Sequence, residues 1–201
     1  MKTSLAILAG LFLVLAIGTP PVSAKEPGDT LVRSIERALS ILRADDSPAL
    51  KKARIREVVD DLFDFELMAQ KVTGHHWNNF SPEEKREFTA VFADFVGDIY
   101  LDKLKFYRSE KIELIGQYHR SESDGRSYYL VCTMITKIDQ QFRVNYGMYV
   151  SAEKVRVYDV EIEGVSLIRS FRAQYANLLE KMAPAKFIEN VKARLKERRR
   201  S

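Results

Sequence analysis

The chain has 201 residues, of which 46% are hydrophobic, so one domain can bury a sizeable core. A formal net charge of +4 is mild for this length. The single cysteine, Cys132, excludes an intramolecular disulfide framework.

Residues 1–24 read as a secretory signal peptide. Lys2 supplies the positive start, Leu5 to Ile17 the apolar run, and Val22-Ser23-Ala24 a small-residue cleavage site. The run is short for a membrane span, and no cysteine near residue 24 invites lipid modification. Removal of Lys2 leaves a net charge of +3, and export disfavours nucleic acid as a partner.

Three helices are predicted next. Asp29 is placed to cap the first, with Leu31, Ile35, Ala38, Leu39 and Leu42 on one face. Ser47-Pro48 starts the second, which carries Ile55, Val58, Val59 and Leu62. Asp64 opens a third with Phe65, Met68 and Val72, ended by Gly74. After His75-His76-Trp77, Ser81 with Glu84 forms a capping box. The longest helix follows it, with Phe88, Val91, Phe92, Phe95, Val96, Ile99 and Leu104 at steps of three to four.

From Lys111 the period changes to two. Ile112 and Leu114 begin a strand ending near Arg120, and Ser121 to Gly125 is a polar hairpin connection. In the second strand both parities are apolar: Tyr128, Leu130, Cys132 and Met134 alternate with Tyr129, Val131, Thr133 and Ile135, so both faces should be covered. Cys132 should therefore be a buried, inert thiol. Asp139-Gln140 turns the chain into a third strand with Phe142, Val144, Tyr146, Met148 and Val150. A turn at Ser151 to Lys154 leads to a fourth. Its apolar parity switches from Val155 and Val157 to Tyr158, Val160 and Ile162, which predicts a bulge at Val157–Tyr158. Gly164 then makes a one-residue turn, and Ser166 caps a helix with Ile168, Phe171, Tyr175, Leu178 and Met182. Pro184 interrupts the chain before a last helix carrying Phe187, Ile188, Val191 and Leu195 and ending in a basic run. That run reads either as a solvated helix end suited to the helix dipole or as a contact for an anionic membrane surface or acidic partner.

Catalytic patterns fail one by one. Gly164-Val165-Ser166-Leu167-Ile168 begins like a nucleophile elbow, but that motif needs glycine at 168, and no histidine follows Ser166. His75, His76 and His119 lack metal-ligand spacing, and Asp159, Glu161 and Glu163 alternate as a solvated sheet face would. No glycine-rich phosphate loop is present. Abundant apolar side chains remain, and periodicity alone does not separate a filled core from a lined cavity.

The run Val157-Tyr158-Asp159-Val160, then Ile162-Glu163-Gly164-Val165-Ser166-Leu167 with Arg172, Gln174 and Tyr175, resembles the MlaC / toluene-tolerance family of periplasmic phospholipid-binding proteins. Met68-Ala69 to Gly74, Trp77 and the Phe-rich helix after Ser81 extend the likeness; His75 and His76 take no role from it.

The resemblance implies an α+β fold: a four-stranded antiparallel twisted sheet with several helices packed on it around an apolar lipid pocket. Domain limits would be 1–24 for the signal and 25–201 for the binding domain, with a helical half at 29–107, sheet at 111–163 and C-terminal helices at 166–200. The expected lipid-binding residues are Met68, Phe92, Phe95, Ile99, Tyr128, Leu130, Met134, Phe142, Val144, Tyr146, Met148, Val160, Ile162, Phe171 and Tyr175. Arg169 and Arg172 are weaker head-group candidates. A sixteen-carbon chain gains ~12 kcal/mol from apolar walls at ~0.8 kcal/mol per methylene, so no directed polar contact is required.

The implied role is a soluble periplasmic carrier, not an enzyme, needing no cofactor or metal. It would shuttle phospholipid between an outer-membrane lipoprotein–porin complex and an inner-membrane ABC transporter with its substrate-binding membrane subunit, maintaining outer-membrane asymmetry. Competing readings are a carrier of another lipid such as a hopanoid, a cup-shaped α+β enzyme using Asp159 or a tyrosine, and a lipid-free structural adaptor.

Overall fold

The computed structural model describes residues 26–104, 111–137, 140–152 and 154–200, without the side chains of 99–104 and 137. The signal segment and the Asp139 turn lie outside the described residues, as does the Ile99 side chain.

The described residues form six α-helices and one five-stranded sheet: α1 Pro27–Arg43, α2 Pro48–Leu62, α3 Phe65–Thr73, a 3₁₀ turn Gly74–Asn79, α4 Pro82–Leu104, β1 Lys111–Ser123, β2 Arg126–Lys137, β3 Gln140–Ser151, β4 Lys154–Ile162, β5 Val165–Ser166, α5 Leu167–Lys181 and α6 Pro184–Arg200. The sheet is an antiparallel meander in the order β1-β2-β3-β4-β5. The expected α+β class stands, with five strands where four were expected. The extra strand arises because Glu163 and Gly164 both take positive φ, 49° and 81°, and form a two-residue hairpin turn rather than a one-residue one. Val165 and Ser166 then pair with Ile162 and Glu161 before α5 begins.

Local chemistry sets most boundaries. Ser81 and Glu84 exchange the two capping-box bonds, the Glu84 carboxylate accepting from the Ser81 N–H at 2.8 Å and the Ser81 hydroxyl from the Glu84 N–H at 3.2 Å. Ser47, Asp64 and Ser166 cap α2, α3 and α5 with their side-chain oxygens. Asp29 does not cap α1. The helix starts two residues earlier at Pro27, which needs no N–H partner at that position, and Asp29 falls in the first turn, where its charge suits the dipole. β1 runs three residues beyond Arg120, because Asp124 and Gly125, both at positive φ, place the hairpin turn there. The bulge in β4 lies where the parity switch put it. Gly147 pairs with Asp159 and Met148 with Val157, leaving Tyr158 as the extra residue.

Two apolar clusters form. One lies among α3, the 3₁₀ turn, α4, α5 and α6, built on Met68, Val72, Phe88, Phe92, Phe171, Tyr175 and Phe187. The other lies between the sheet and the first two helices, built on Leu31, Leu62, Val131, Val144, Tyr146, Met148, Val155 and Val157. The α2–α3 junction links them: Phe63 forms a parallel bridge with Val157, whose carbonyl accepts the Asp64 N–H at 2.9 Å.

Candidate binding site

Strand register decides which side chains share a face. Tyr129 pairs with Met148, Val131 with Tyr146, Thr133 with Val144 and Ile135 with Phe142. On β3 and β4, Val144 pairs with Ile162, Tyr146 with Val160 and Val150 with Val155. Directly paired residues point the same way. One face across β2, β3 and β4 is therefore Tyr129, Val131, Thr133, Ile135, Phe142, Val144, Tyr146, Met148, Val150, Val155, Val157, Val160 and Ile162. Thr133 is the buried polar side chain of this face besides the Tyr146 hydroxyl, and it is satisfied by donating to the Val144 carbonyl at 3.2 Å.

Helix α1 crosses this face, touching all four long strands. Its first turn is anchored: the Gln117 side-chain carbonyl accepts the Gly28 N–H at 2.9 Å, and Leu31 is fully buried. A Cβ on Gly28 would come within 2.9 Å of the end of the Leu114 side chain, which would have to shift to admit it. Farther along, Ile35, Ala38, Leu39 and Leu42 are only half-buried, as are Ile135, Phe142 and Val160 on the sheet, and Ile162 is exposed. The result is an apolar sheet face, fully covered at Val131, Met148 and Val157 and only partly covered at its Ile135, Phe142 and Ile162 end, and this face is the candidate groove.

The opposite sheet face is different in kind. It carries Tyr128, Leu130, Cys132 and Met134, but also Glu113, Arg143, Asn145, Asp159 and Glu161. Tyr158 lies over Gly147, where a Cβ would meet its ring at 2.8 Å, and Tyr158 stacks edge-on against Tyr128 at 5.6 Å. Cys132 is half-buried here, not fully buried as expected, because it stands opposite Gly116 of the edge strand, which supplies no side chain to cover it. Burial still pushes its thiol pKa up.

The sequence-predicted residues thus fall in three places. Phe142, Val144, Tyr146, Met148, Val160 and Ile162 share the groove face. Tyr128, Leu130 and Met134 are on the opposite face. Met68, Phe92, Phe95, Phe171 and Tyr175 belong to the helical cluster, where the Phe171 ring meets Phe92 at 5.2 Å and Phe95 at 5.7 Å, both edge-on. Sequence reasoning missed Tyr129, Val131, Ile135, Val150, Val155 and Val157 as groove residues. Their alternation was visible, but β2 is apolar on both parities.

Arg169 and Arg172 are both engaged. Arg169 pairs with Glu161 at 2.8 Å, and Arg172 donates to the Lys71 carbonyl at the end of α3. Asp159 accepts the Ser166 hydroxyl at 2.7 Å and the Ile168 N–H at 3.1 Å, so both its oxygens serve the start of α5. His75 and His76 stack on each other at 4.0 Å in the 3₁₀ turn, and no group of residues suited to a metal occurs among the described residues. Burial raises the Tyr146 hydroxyl pKa to about 12. The chemistry on offer is non-directional: an extended apolar surface without a charged side chain. Among the described residues no helix is long and apolar enough to cross a membrane.

A family model described as MlaC protein matches residues 33–193. No curated protein sequence matches the chain. Among solved structures, a phospholipid-binding protein from Ralstonia solanacearum in complex with a phospholipid is similar, with a TM-score of 0.74 at 18% identity over 86% of this chain and 98% of that one. At that identity the likeness concerns the fold.

Proposed function

The chain belongs to the MlaC protein family, and from that premise we propose that it is a non-catalytic phospholipid carrier whose acyl chains lie in the groove between α1 and the sheet. The observation that carries this reading is the groove face itself: thirteen positions on β2, β3 and β4 without a charge, buried in the middle beneath α1 and the end of α2 and only partly covered at Tyr129, Ile135, Phe142, Val150 and Val160. Ile135, Phe142 and Val160 keep partial contact with water, and Ile162 is exposed. A bound chain covering them gains ~0.8 kcal/mol per methylene. The helix-side candidates, Met68, Phe92, Phe95, Phe171 and Tyr175, support α5 and α3 from behind in this reading, and reach the cargo only if the helices part.

In the wider role, residues 1–24 direct export, and the mature protein moves phospholipid through the periplasm between outer-membrane and inner-membrane components of an ABC-type system that maintains outer-membrane asymmetry. Tight apolar binding makes spontaneous release slow, so a membrane complex accelerates it.

Native mass spectrometry of protein purified from cells without detergent tests the cargo. One phospholipid mass, lost on organic extraction, is expected. A clean apo mass with no uptake from vesicles sinks the reading. Equal lipid off-rates with and without the inner-membrane complex would remove the assisted-release step alone.

A further inference from the structure

Charge is unevenly divided along this chain. Residues 167–200, which form α5 and α6, hold ten basic and three acidic residues, net +7. Residues 25–166 hold 21 basic and 25 acidic residues, net −4. The near-neutral total conceals a polar molecule.

The basic excess concentrates on the second half of α6. That helix buries Phe187, Ile188, Val191 and Leu195 against the helical cluster and leaves Lys192, Arg194, Lys196, Arg198, Arg199 and Arg200 exposed. Two of these are held inward: Lys192 pairs with Glu87, and Arg199 with Asp98 and Asp94, so the last turn is fixed against α4. One or two cations suffice to complement a helix C-terminus. The remainder form a positive surface on a well-anchored element.

We propose that the C-terminal half of α6 docks the protein on an anionic phospholipid bilayer. Among the described residues this surface contains none of the exposed large hydrophobic side chains, which lie on α2, β1, β4 and β5. A specific protein interface needs a desolvated apolar centre, and this face offers none. A fluid bilayer of mobile anionic head groups needs only long flexible cations, each worth roughly fivefold in affinity. The inference rests on the carrier reading for its purpose, since a carrier must meet membranes to load and unload, but the charge distribution stands without it.

Flotation of the mature protein with vesicles tests it, comparing phosphatidylglycerol–phosphatidylcholine mixtures with pure phosphatidylcholine at low and high salt. The protein is expected to float with the anionic vesicles only, less so at high salt. K196E/R198E/R200E should lose about a hundredfold in affinity or more, and K196Q/R198Q/R200Q should fall between it and the parent. Native mass spectrometry on the same samples reads bound lipid separately: all three proteins are expected to carry equal cargo. Equal flotation of parent and variants, flotation on pure phosphatidylcholine, or no flotation at all overturns membrane docking while leaving the cargo result standing. So does salt-sensitive binding of the tail to an acidic protein in place of the vesicles.

Discussion

The two apolar clusters contain the same kinds of residue and end in different states. In the helical cluster Met68, Val72, Phe88, Phe92, Phe187 and Val191 are all fully buried, each ring set against others at 5–6 Å. Helical residues from five elements surround that space and bury one another's side chains. On the sheet, Val131, Met148 and Val157 reach the same burial beneath α1, but Tyr129, Ile135, Val150 and Val160 are only partly covered. Helix α1 crosses the sheet and α2 meets it only at β4, so among the described residues the rest of this face is covered less completely. The difference teaches that here a core and a cavity are made by the number of covering elements, not by the residues themselves.

Four experiments bear on that difference. The largest effect belongs to Phe92→Ala, which should cost about 3–5 kcal/mol in urea unfolding, with lipid content of the folded fraction unchanged. Lost cargo at preserved stability would transfer Phe92 from the helical core to the lipid site. Next, high pH should weaken both clusters. Burial raises Tyr146 and Tyr175 from the ordinary tyrosine value to about 12. The unfolded chain therefore ionises first, and stability is full below pH ~10 and falls as pH rises toward 12, by about 2–3 kcal/mol for each tyrosine. Tyr175→Phe should remove part of that fall at little cost at neutral pH, since the Tyr175 hydroxyl is buried without a hydrogen-bond partner among the described residues. An unchanged alkaline profile in Tyr175→Phe would count against a buried, protonated phenol.

Third, Val160→Trp fills the half-open groove. Its stability cost should stay within about 1–3 kcal/mol, because Val160 is only half-buried, while lipid uptake from vesicles drops about tenfold or more. Full uptake by this variant would place the cargo elsewhere. The smallest effect is expected at the seam between the regions, where Arg56 of α2 meets Asp94 of α4 at 2.8 Å beside an open cleft of about 380 Å³. This pair is partly exposed, so Arg56→Ala should cost at most about 1 kcal/mol. A faster lipid off-rate in that variant would show that the two regions separate during release, and an unchanged one would show that they move as one body.

Much of this protein was legible without its tertiary structure because the signals are local. The capping box at Ser81, the N-caps at Ser47, Asp64 and Ser166, the break at Pro184 and the bulge at Tyr158 each depend on residues within four positions of one another. The fifth strand was missed for the opposite reason. Glu163 had to be recognised as a second residue at positive φ, and a two-residue strand carries no periodicity. The candidate site was the least legible part. On β2 both parities are apolar, so nothing within the strand tells Leu130 and Met134 from Val131 and Ile135. Pairing with β3 and β4, together with the approach of α1 at Gly28, decides which parity faces the groove. Likewise the sequence by itself determined that Phe92, Phe171 and Tyr175 are buried, through their helical spacing. Only the tertiary structure decided that they are buried against each other rather than against the sheet, because burial follows from a residue's own pattern, whereas the partner it is buried against depends on how distant segments are brought together.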